Sequence, residues 1–300
     1  MAELGPNATL LPAHRAAIEA VRPDLRGAPM RLHADGWDCL AIEVEADGDR
    51  PSLVFKIPHH DGAIDRLRRE PKTLDLVRPL VAVKVPHMRL HQAPVLMTEH
   101  EKIIGSALDG PKYDTLCEPV RRRLASDLAR FYQSLHGLDP AAVRQADCDG
   151  LRQWPATNVV MDTLRGAIPD RAVLIVEQLL DAHDGHGSDD EVFGQFDTHG
   201  WNLAFNWDTQ QLDGVFDFAG AGVGPLHRDL SYPMFLSPDL TQRVVDQYQR
   251  LTGRSVSLCR VYDAHGALRV VELYTELMEG RPVERFVDAI DRFWHWRCAL

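Results

Sequence analysis

The sequence is poor in cysteine and contains no long apolar run. Its five cysteines are scattered and include no CxxC pair, which argues against a disulfide framework and a zinc site and fits a reducing cytoplasm. They are Cys39, Cys117, Cys148, Cys259 and Cys298. No stretch of about 18 apolar residues predicts a transmembrane helix, and the N-terminal residues lack the basic-then-apolar pattern of a signal peptide. We therefore expect a soluble, cytoplasmic protein without membrane association.

Basic residues are also in the minority, with 33 Lys and Arg against 44 Asp and Glu and a net charge of −11. A nucleic-acid-binding protein needs a basic footprint, and the short runs "RLRRE" and "RRR" do not supply one. We therefore expect no nucleic-acid partner. An acidic surface attracts cations, so a positively charged small substrate fits this charge, and acidity that only maintains solubility fits it equally well. The oligomeric state is left open.

The first hundred residues are predicted to be rich in strands. Two apolar runs, 39–45 and 52–57, flank the turn-forming stretch "ADGDR" and predict a β-hairpin. Residues 61–80 carry a helical stripe of apolar side chains, which Pro71 is expected to kink or interrupt. Two more short strands are predicted in "VKVPHMRL" and "APVLMTE". These elements indicate a small, strand-rich N-terminal lobe.

The rest of the chain is predicted to be mainly helical. The segment "RRRLASDLARFYQSLHGLD" has an apolar helical face and is expected to end at Gly137. The polar stretch "DAHDGHGSDDE" contains His183 and His186, but their spacing is poor for a metal site, so we interpret it as a solvated loop. Short strands resume at "LAFNWD" and "LDGVFDF". The layout predicts an α+β protein of two lobes that join near residues 98–108 around a cleft.

Three polar residues lie around the second predicted hairpin. Asp197 and Asn202 belong to the loop "DTHGWN", and Asp217 follows the apolar strand "LDGVF". Because a hairpin returns its two ends to the same place, we expect these three side chains to converge. Asp at a turn and Asn at a loop end are common turn formers, which is the simpler explanation for each residue taken alone. His199, in the same loop, is interpreted as loop structure.

A carboxylate beside an Asn–Asp pair is what phosphoryl transfer requires. The base accepts the proton of the attacking hydroxyl, and the pair holds Mg²⁺ on the phosphates. The spacing D-x-x-x-x-N followed by Asp-Phe matches the kinase catalytic-loop and metal motifs. The three residues together therefore favour phosphoryl transfer, with Asp197 as the base and Asn202 and Asp217 as metal ligands.

The N-terminal lobe contains further residues that fit this chemistry. Lys56 ends the apolar run "SLVFK", where a kinase lysine reaches the nucleotide phosphates, and Glu70 in the following helical segment is placed to orient it. Gly36 lies in a loop between presumed strands, as a weak signal for a phosphate-cradling loop. A surface ion pair is the alternative for Lys56.

These motifs resemble those of the aminoglycoside phosphotransferase family, within the wider group that includes choline kinase and other small-molecule kinases. "GQFDTHGWNLAFN" and "LDGVFDFAGAGVGPLHRDLS" are similar to the family's His-x-Asp-x-x-x-x-Asn, hairpin and Ile-Asp-Phe-Gly pattern. "VFKIPHHDGAIDRLRRE" resembles its lysine strand and glutamate helix, and "VLMTEHEKIIG" its adenine-binding hinge strand. "LASDLARFYQSLHGLD" resembles a family helix ending in Leu-His. The resemblance spans about residues 30–240 in register.

The resemblance implies a protein-kinase-like fold, with a five-stranded antiparallel sheet and a helix joined to a helical lobe. Residues 1–100 would form the nucleotide-binding lobe and residues 101–300 the catalytic and substrate-binding lobe. It also implies Mg²⁺ and ATP or GTP as co-substrate.

The family's functional residues carry over by position. Asp197 is then the catalytic base, and Asn202 and Asp217 bind Mg²⁺. Lys56 and Glu70 hold the nucleotide phosphates. The backbone of Thr98 to His100 would bond adenine.

Three departures from the family pattern stand out. Gln195 occupies the position where the family usually has His. The family's Asp-Phe-Gly-Asp becomes "DFAG", which loses an acidic residue. Pro71 directly after Glu70 disfavours helical geometry at that glutamate.

The leading hypothesis is a kinase for a hydroxyl of a cationic small molecule, in the first place an aminoglycoside. Its acidic pocket would come from the C-terminal helices, although each acid alone is more simply a solvated helix face. These acids are Glu272, Glu276, Glu279 and Asp291. The alternatives are another acceptor (a choline-like amine, an amino alcohol, a macrolide or a sugar) and a catalytically inactive nucleotide-binding homologue. A metal-dependent hydrolase using Asp197 and His199 is weaker, because it leaves Lys56 unexplained.

Overall fold

The computed structural model describes residues 11–33, 36 and 38–299. Its strands are β1 (Met30–His33), β2 (Cys39–Val44), β3 (Leu53–Pro58), β4 (Arg89–His91), β5 (Met97–Glu101), β6 (Glu191–Gly194), β7 (Leu203–Asn206), β8 (Gln211–Val215) and β9 (Gly222–Pro225). Its α-helices are α1 (Pro12–Val21), α2 (Asp61–Val77), α3 (Gly110–Asp114), α4 (Glu118–His136), α5 (Pro140–Gln145), α6 (Thr157–Leu164), α7 (Asp170–Asp184), α8 (Leu226–Asp229), α9 (Pro238–Thr252), α10 (Leu258–Met278) and α11 (Glu284–Cys298).

The N-terminal part is built on one antiparallel sheet in the order β1-β2-β3-β5-β4. β2 and β3 pair from Cys39↔Pro58 to Val44↔Leu53, which confirms the predicted hairpin. Strands β4 and β5 confirm the two further predicted strands. The inward side chains alternate along β2 and β3, so one face of the sheet packs on α1 as a small core of its own.

Helix α2 runs through Pro71 as a single element of 17 residues. A proline inside a helix costs about 3 kcal/mol, because it removes a backbone donor and crowds the preceding turn. The expected interruption was wrong because Leu67 precedes the proline, Leu74 and Val77 follow it, and all three are fully buried. Packing on both sides of Pro71 holds the helix continuous and keeps Glu70 in helical geometry, pointing inward.

The larger part of the chain is mainly helical. The predicted amphipathic helix is α4, and it ends at His136 with Gly137 as its cap, as the sequence indicated. His136 is buried and joins two other helices, through Tyr248 Oη at 3.0 Å and Asp229 Oδ2 at 2.9 Å. These polar contacts lie at the edge of an extended apolar core that α4 and α9 share.

Two short strand pairs are set into this helical region. β7 and β8 form the second predicted hairpin, with Leu203 opposite Val215. β6 pairs with β9, from Glu191↔Pro225 to Gly194↔Gly222. The loops that leave β6 and β8 therefore start from fixed, neighbouring positions. This arrangement places the stretch 195–202 against the stretch 216–218.

Among the described residues, no helix combines the length and the apolar character needed to cross a membrane. The last strand of the N-terminal sheet ends at Glu101. The division into lobes at residues 100 and 101 stays a prediction.

Candidate active site

Asp197 and Asn202 are brought together by a tight turn of the loop. The backbone N–H of His199 donates to Asp197 O at 2.7 Å. The side-chain amide of Asn202 donates to Asp197 O at 2.9 Å and to Asp197 Oδ2 at 2.7 Å. With its amide hydrogens directed at Asp197, Asn202 keeps its Oδ1 for another partner. The Asp197 carboxylate remains 39% exposed and can meet a ligand in the cleft.

Asp217 reaches the same place from the other end of the hairpin. The Phe216 N–H donates to Asn202 O at 3.0 Å, which ties the two stretches together. Asp217 has a left-handed backbone with a φ of 63°, an uncommon conformation for a residue with a side chain. Its Oδ1 accepts from Lys56 Nζ at 2.8 Å. The two stretches that carry the three residues predicted to converge thus lie side by side.

Lys56 joins the N-terminal sheet to this cluster. Its ammonium donates to both carboxylate oxygens of Glu70, each at 3.0 Å, as well as to Asp217. Burial lowers the pKa of Lys56, but the carboxylates of Asp217 and Glu70 outweigh burial and raise it above its ordinary value. Burial likewise raises the pKa of Asp217, and Lys56 more than offsets this, so its pKa is lowered. Both groups are therefore charged near neutral pH.

Glu70 is completely buried and makes a second link across the cleft. Its Oε1 accepts from the backbone N–H of Phe218 at 2.9 Å. A buried carboxylate needs such compensation, and here one ammonium and one backbone donor provide it. The glutamate of α2 thus holds both the lysine and the stretch that follows Asp217.

Gln195 is the centre of a hydrogen-bond network under the loop. Its amide nitrogen donates to Phe216 O at 3.2 Å and Asp217 O at 2.7 Å. Its amide oxygen accepts from Asp197 N at 3.0 Å and from Thr198 Oγ1 at 2.6 Å. A side-chain amide offers two donors and has two acceptor positions, so this fully buried group is fully used. We call Lys56, Glu70, Gln195, Asp197, Asn202 and Asp217 the central cluster.

His199 lies against the predicted base, a contact that the sequence did not indicate. Its Nε2 is 3.1 Å from Asp197 Oδ1, and its ring contacts Trp201 and Phe235 edge-on. Burial lowers the pKa of His199, but the charge of Asp197 outweighs it and raises the pKa. The interpretation of His199 as loop structure alone missed this ion pair.

A second group combines two residues of α10 with rings from the loop and from the segment after α8. Arg269 contacts Glu272 in an ion pair at 2.5 Å and lies over the ring of Phe235. Burial raises the pKa of Glu272 to about 7, while Arg269 and His199 lower it and Asp197 raises it. Glu272 therefore interacts electrostatically with Asp197 in the loop. We call His199, Trp201, Phe235, Arg269 and Glu272 the α10 wall.

The other predicted acids do not form such a wall. Glu276 is buried and bonded to Arg281, which also contacts Glu279. Asp291 pairs with Arg171 at 3.1 Å on the surface. Of the four acids named from the sequence, Glu272 is the one whose environment includes Asp197.

The remaining predicted site residues lie in the N-terminal sheet. Gly36 is exposed in the connection from β1 to β2. Thr98 pairs with Lys56 on one side and with Leu90 on the other, so strands flank its backbone on both sides. His100 lies beyond the end of β4 and pairs on one side alone, with Val54. Burial lowers the pKa of the His100 ring to about 4, which makes it neutral.

The chemistry of the donor set fits a hard divalent cation. Asn202 offers an amide oxygen, and Asp217 offers an ionised carboxylate that is 40% exposed. Amide and carboxylate oxygens are the ligands that Mg²⁺ prefers in proteins. Beside them, Lys56 presents a fixed positive charge and Asp197 an accessible carboxylate. The arrangement can hold a metal–phosphate group and take a proton from a nearby hydroxyl.

Comparison with known proteins identified a family and a shared fold. The pattern of the "Phosphotransferase enzyme family" matches residues 29–284. No curated protein sequence matches significantly.

Solved structures share the fold at low sequence identity. The GDP complex of wild-type aminoglycoside 2'-phosphotransferase-IIIa has a TM-score of 0.78 and 16% identity, covering 96% of this chain and 98% of that one. A streptomycin–ATP ternary complex of an aminoglycoside 2''-phosphotransferase has a TM-score of 0.65 and 16% identity, covering 95% and 97%. The macrolide 2'-phosphotransferase MphH of Brachybacterium faecium has a TM-score of 0.63 and 18% identity, covering 92% and 98%. The predicted two-part, kinase-like α+β fold is thereby confirmed.

Proposed function

This chain belongs to the phosphotransferase enzyme family, and from that premise we propose that it transfers the γ-phosphoryl group of ATP or GTP to a hydroxyl of a cationic small molecule. An aminoglycoside is the acceptor we propose first. Residues up to 100 would form the nucleotide-binding lobe and residues from 101 the catalytic and acceptor lobe. Its low cysteine content supports a cytoplasmic location.

Asp197 is the general base in this proposal. The acceptor oxygen attacks the γ-phosphorus, the bond to the leaving nucleotide oxygen breaks, and the acceptor proton passes to the Asp197 carboxylate. The exposed fraction of that carboxylate and its two fixed partners, Asn202 at Oδ2 and His199 at Oδ1, support this role. The partners hold the carboxylate still while each oxygen keeps a lone pair for the proton.

Asn202 and Asp217 would hold Mg²⁺, which supplies neutralisation of the phosphate charge when it is bound. Lys56 would bind the phosphates, and Glu70 would position Lys56. The ion pairs of Lys56 with both carboxylates support these roles. For adenine we propose the backbone at His100, because Thr98 is flanked by strands on both sides.

The α10 wall supports a cationic acceptor. Near neutral pH the Glu272 carboxylate is about half ionised, and it interacts electrostatically with Asp197. An ammonium group placed between the two carboxylates would be attracted to both. Complexes with streptomycin, gentamicin and kanamycin have been solved for aminoglycoside phosphotransferases of this fold. Arg269, however, neutralises part of the charge of Glu272.

A macrolide is the second acceptor that we propose. Macrolide 2'-phosphotransferases share the fold, and the exposed Trp201 beside His199 offers an apolar surface to a large ring. A choline-like amine and an amino alcohol carry the same kind of charge as an aminoglycoside, so the α10 wall does not separate them from it, whereas a neutral sugar gains nothing from that charge. An inactive homologue is disfavoured, because the ion pairs and hydrogen bonds of the central cluster are all made.

The observation that carries the proposal is the convergence of Lys56, Asp197, Asn202 and Asp217 from distant parts of the chain. The test is release of ADP or GDP by the full chain with Mg²⁺, screened over aminoglycosides, macrolides and amino alcohols. Asp197→Ala should retain nucleotide binding and lose turnover by about 10²–10⁴-fold. Asp208→Ala, in the exposed β7–β8 turn, is the matched control and should behave like wild type. Turnover retained by Asp197→Ala would rule out the assigned base.

A further inference from the structure

A second cluster of reactive side chains lies at the start of α10. Cys259 and Asp263 are one turn apart on this helix, and His186 meets them from the loop after α7. His186 Nε2 is 2.7 Å from Asp263 Oδ2, and Cys259 Sγ is 3.5 Å from the same oxygen. The three potential ligand atoms all lie within 4.8 Å of one another. None of these residues takes part in the proposed phosphoryl transfer.

The three ligand atoms are close enough together to bind one metal ion after small shifts. Bonds of about 2.0–2.3 Å from Zn²⁺ to nitrogen, sulfur and oxygen place tetrahedral ligands about 3.3–3.8 Å apart. The sulfur–oxygen distance already matches, and the nitrogen–oxygen distance needs to widen by less than about 1 Å. A residue pair at i and i+4 presents both side chains on one helix face, so α10 holds two ligands in register.

We propose that His186, Cys259 and Asp263 form a binding site for a divalent ion of the zinc class, with solvent in the fourth position. The mixed nitrogen, sulfur and oxygen donor set selects Zn²⁺ or Co²⁺ over Mg²⁺, which takes oxygen ligands. Cys259 is exposed, so an ion can enter from solvent, while Asp263 is buried and fixed.

Arg297 near the end of α11 shows that this cluster already attracts a cation. Its guanidinium is 2.8 Å from Cys259 Sγ and 3.2 Å from Asp263 Oδ1. The side chain is 25% exposed and can move into solvent when an ion takes the thiolate and the carboxylate. Binding would release the proton of the Cys259 thiol and replace one cation by another.

The sequence disfavoured a metal at His186 because the neighbouring histidine had poor ligand spacing. Spacing within one loop reports only the ligands that this loop supplies. The fold supplies the two other ligands from α10, more than 70 positions further along the chain, where local spacing carries no signal.

The test is a Co²⁺ titration of the full, reduced chain in excess Mg²⁺, so that oxygen sites are saturated. We expect one Co²⁺ per chain, a thiolate-to-cobalt charge-transfer band and displacement by Zn²⁺. Cys259→Ser should remove the band and weaken binding at least about tenfold, and His186→Gln, in a loop, should weaken it similarly. Arg297→Gln should tighten binding, because a competing cation is removed.

Two cysteine variants serve as matched controls. Cys117→Ser changes an exposed thiol elsewhere and should leave the titration unchanged. Cys39→Ser tests the thiol near Lys56 and Asp217, where an ion at the central cluster would otherwise give a thiolate band. The proposal is overturned if wild type shows no thiolate band, if Cys259→Ser retains the band with the same affinity, or if Cys39→Ser abolishes it.

Discussion

The central cluster and the α10 wall both include residues of the loop 195–202 but are held in different ways. The central cluster rests on two fully buried groups, Gln195 and Glu70, which are bonded to the backbone beside Asp217, while the carboxylates of Asp197 and Asp217 stay partly exposed. The α10 wall is built from aromatic rings and from His199 and Glu272, whose charges depend on each other. If the proposed roles hold, we expect the chemistry to depend on geometry and the choice of acceptor to depend on charge.

Loss of Asp217 should give the largest effect and should be the same for every acceptor. Asp217→Asn removes the charge that pairs with Lys56 and that would hold Mg²⁺. We expect kcat to fall by about 10²–10³-fold with each substrate tested. Steady-state kinetics over two acceptors of different charge checks this. A fall in kcat with only one of the two acceptors would contradict the view that the central cluster acts independently of the acceptor.

Gln195→Ala should weaken both fold and turnover. It leaves four partners without their hydrogen bonds, one of them buried and three partly buried, and each buried group costs about 1–3 kcal/mol when nothing replaces the bond. Partial relaxation should reduce the loss in the free energy of unfolding to about 2–4 kcal/mol. Denaturant unfolding measures it, and Gln195→Glu is the shape-matched control for the lost donor. A loss below about 1 kcal/mol would contradict the role given to this residue.

Glu272→Gln should alter acceptor binding alone. Because the charge facing the acceptor is removed, KM should rise about tenfold for an amine-bearing acceptor, with kcat and the KM for nucleotide unchanged. Glu279→Gln, whose carboxylate pairs with Arg281 away from Asp197, is the control. An equal rise for neutral and cationic acceptors would show that charge is not what Glu272 provides.

The pH dependence of the KM for a cationic acceptor should be the smallest effect. It tests the same contrast between the central cluster and the α10 wall. Glu272 has a pKa of about 7 and faces Arg269, His199, Asp197 and Glu276. It gains its negative charge as the pH rises, so the KM for a cationic acceptor should fall about threefold from about pH 6.5 to about pH 7.5. Glu272→Gln should remove this pH dependence of KM. A pH dependence caused by titration of His199 would remain in that variant. If KM still changes with pH in Glu272→Gln, another ionisable group is responsible for the dependence.

The sequence was sufficient to predict the convergence of Asp197, Asn202 and Asp217. A D-x-x-x-x-N loop, a short hairpin and an Asp-Phe dipeptide are local, and a hairpin has one simple geometry. The partnership of Lys56 and Glu70 was predicted from the strand and the helix that follows it. Roles for these residues stay predictions.

Other features depended on packing that local sequence does not encode. The contact of His199 with Asp197, and the approach of Glu272 on α10, follow from where distant helices cross the loop. The expected interruption at Pro71 was wrong because the low helix propensity of proline is outweighed by the burial of Leu67 and Leu74 on either side of it. The adenine contact expected for the backbone of Thr98 to His100 stays a prediction, and the pairing of Thr98 with strands on both sides is not visible in the local sequence.

Gln195 has a consequence for how the enzyme should respond to acidity. It joins the loop of Asp197 to the backbone of Asp217 without any ionisable group, at the position where the family usually has a histidine. An imidazole would exchange a donor for an acceptor as it gained or lost a proton; an amide keeps the same donors and acceptors at every physiological pH. The hydrogen bonds of Gln195 therefore do not change with pH, and the pH profile of this protein should report groups outside this scaffold, such as His199 and Glu272.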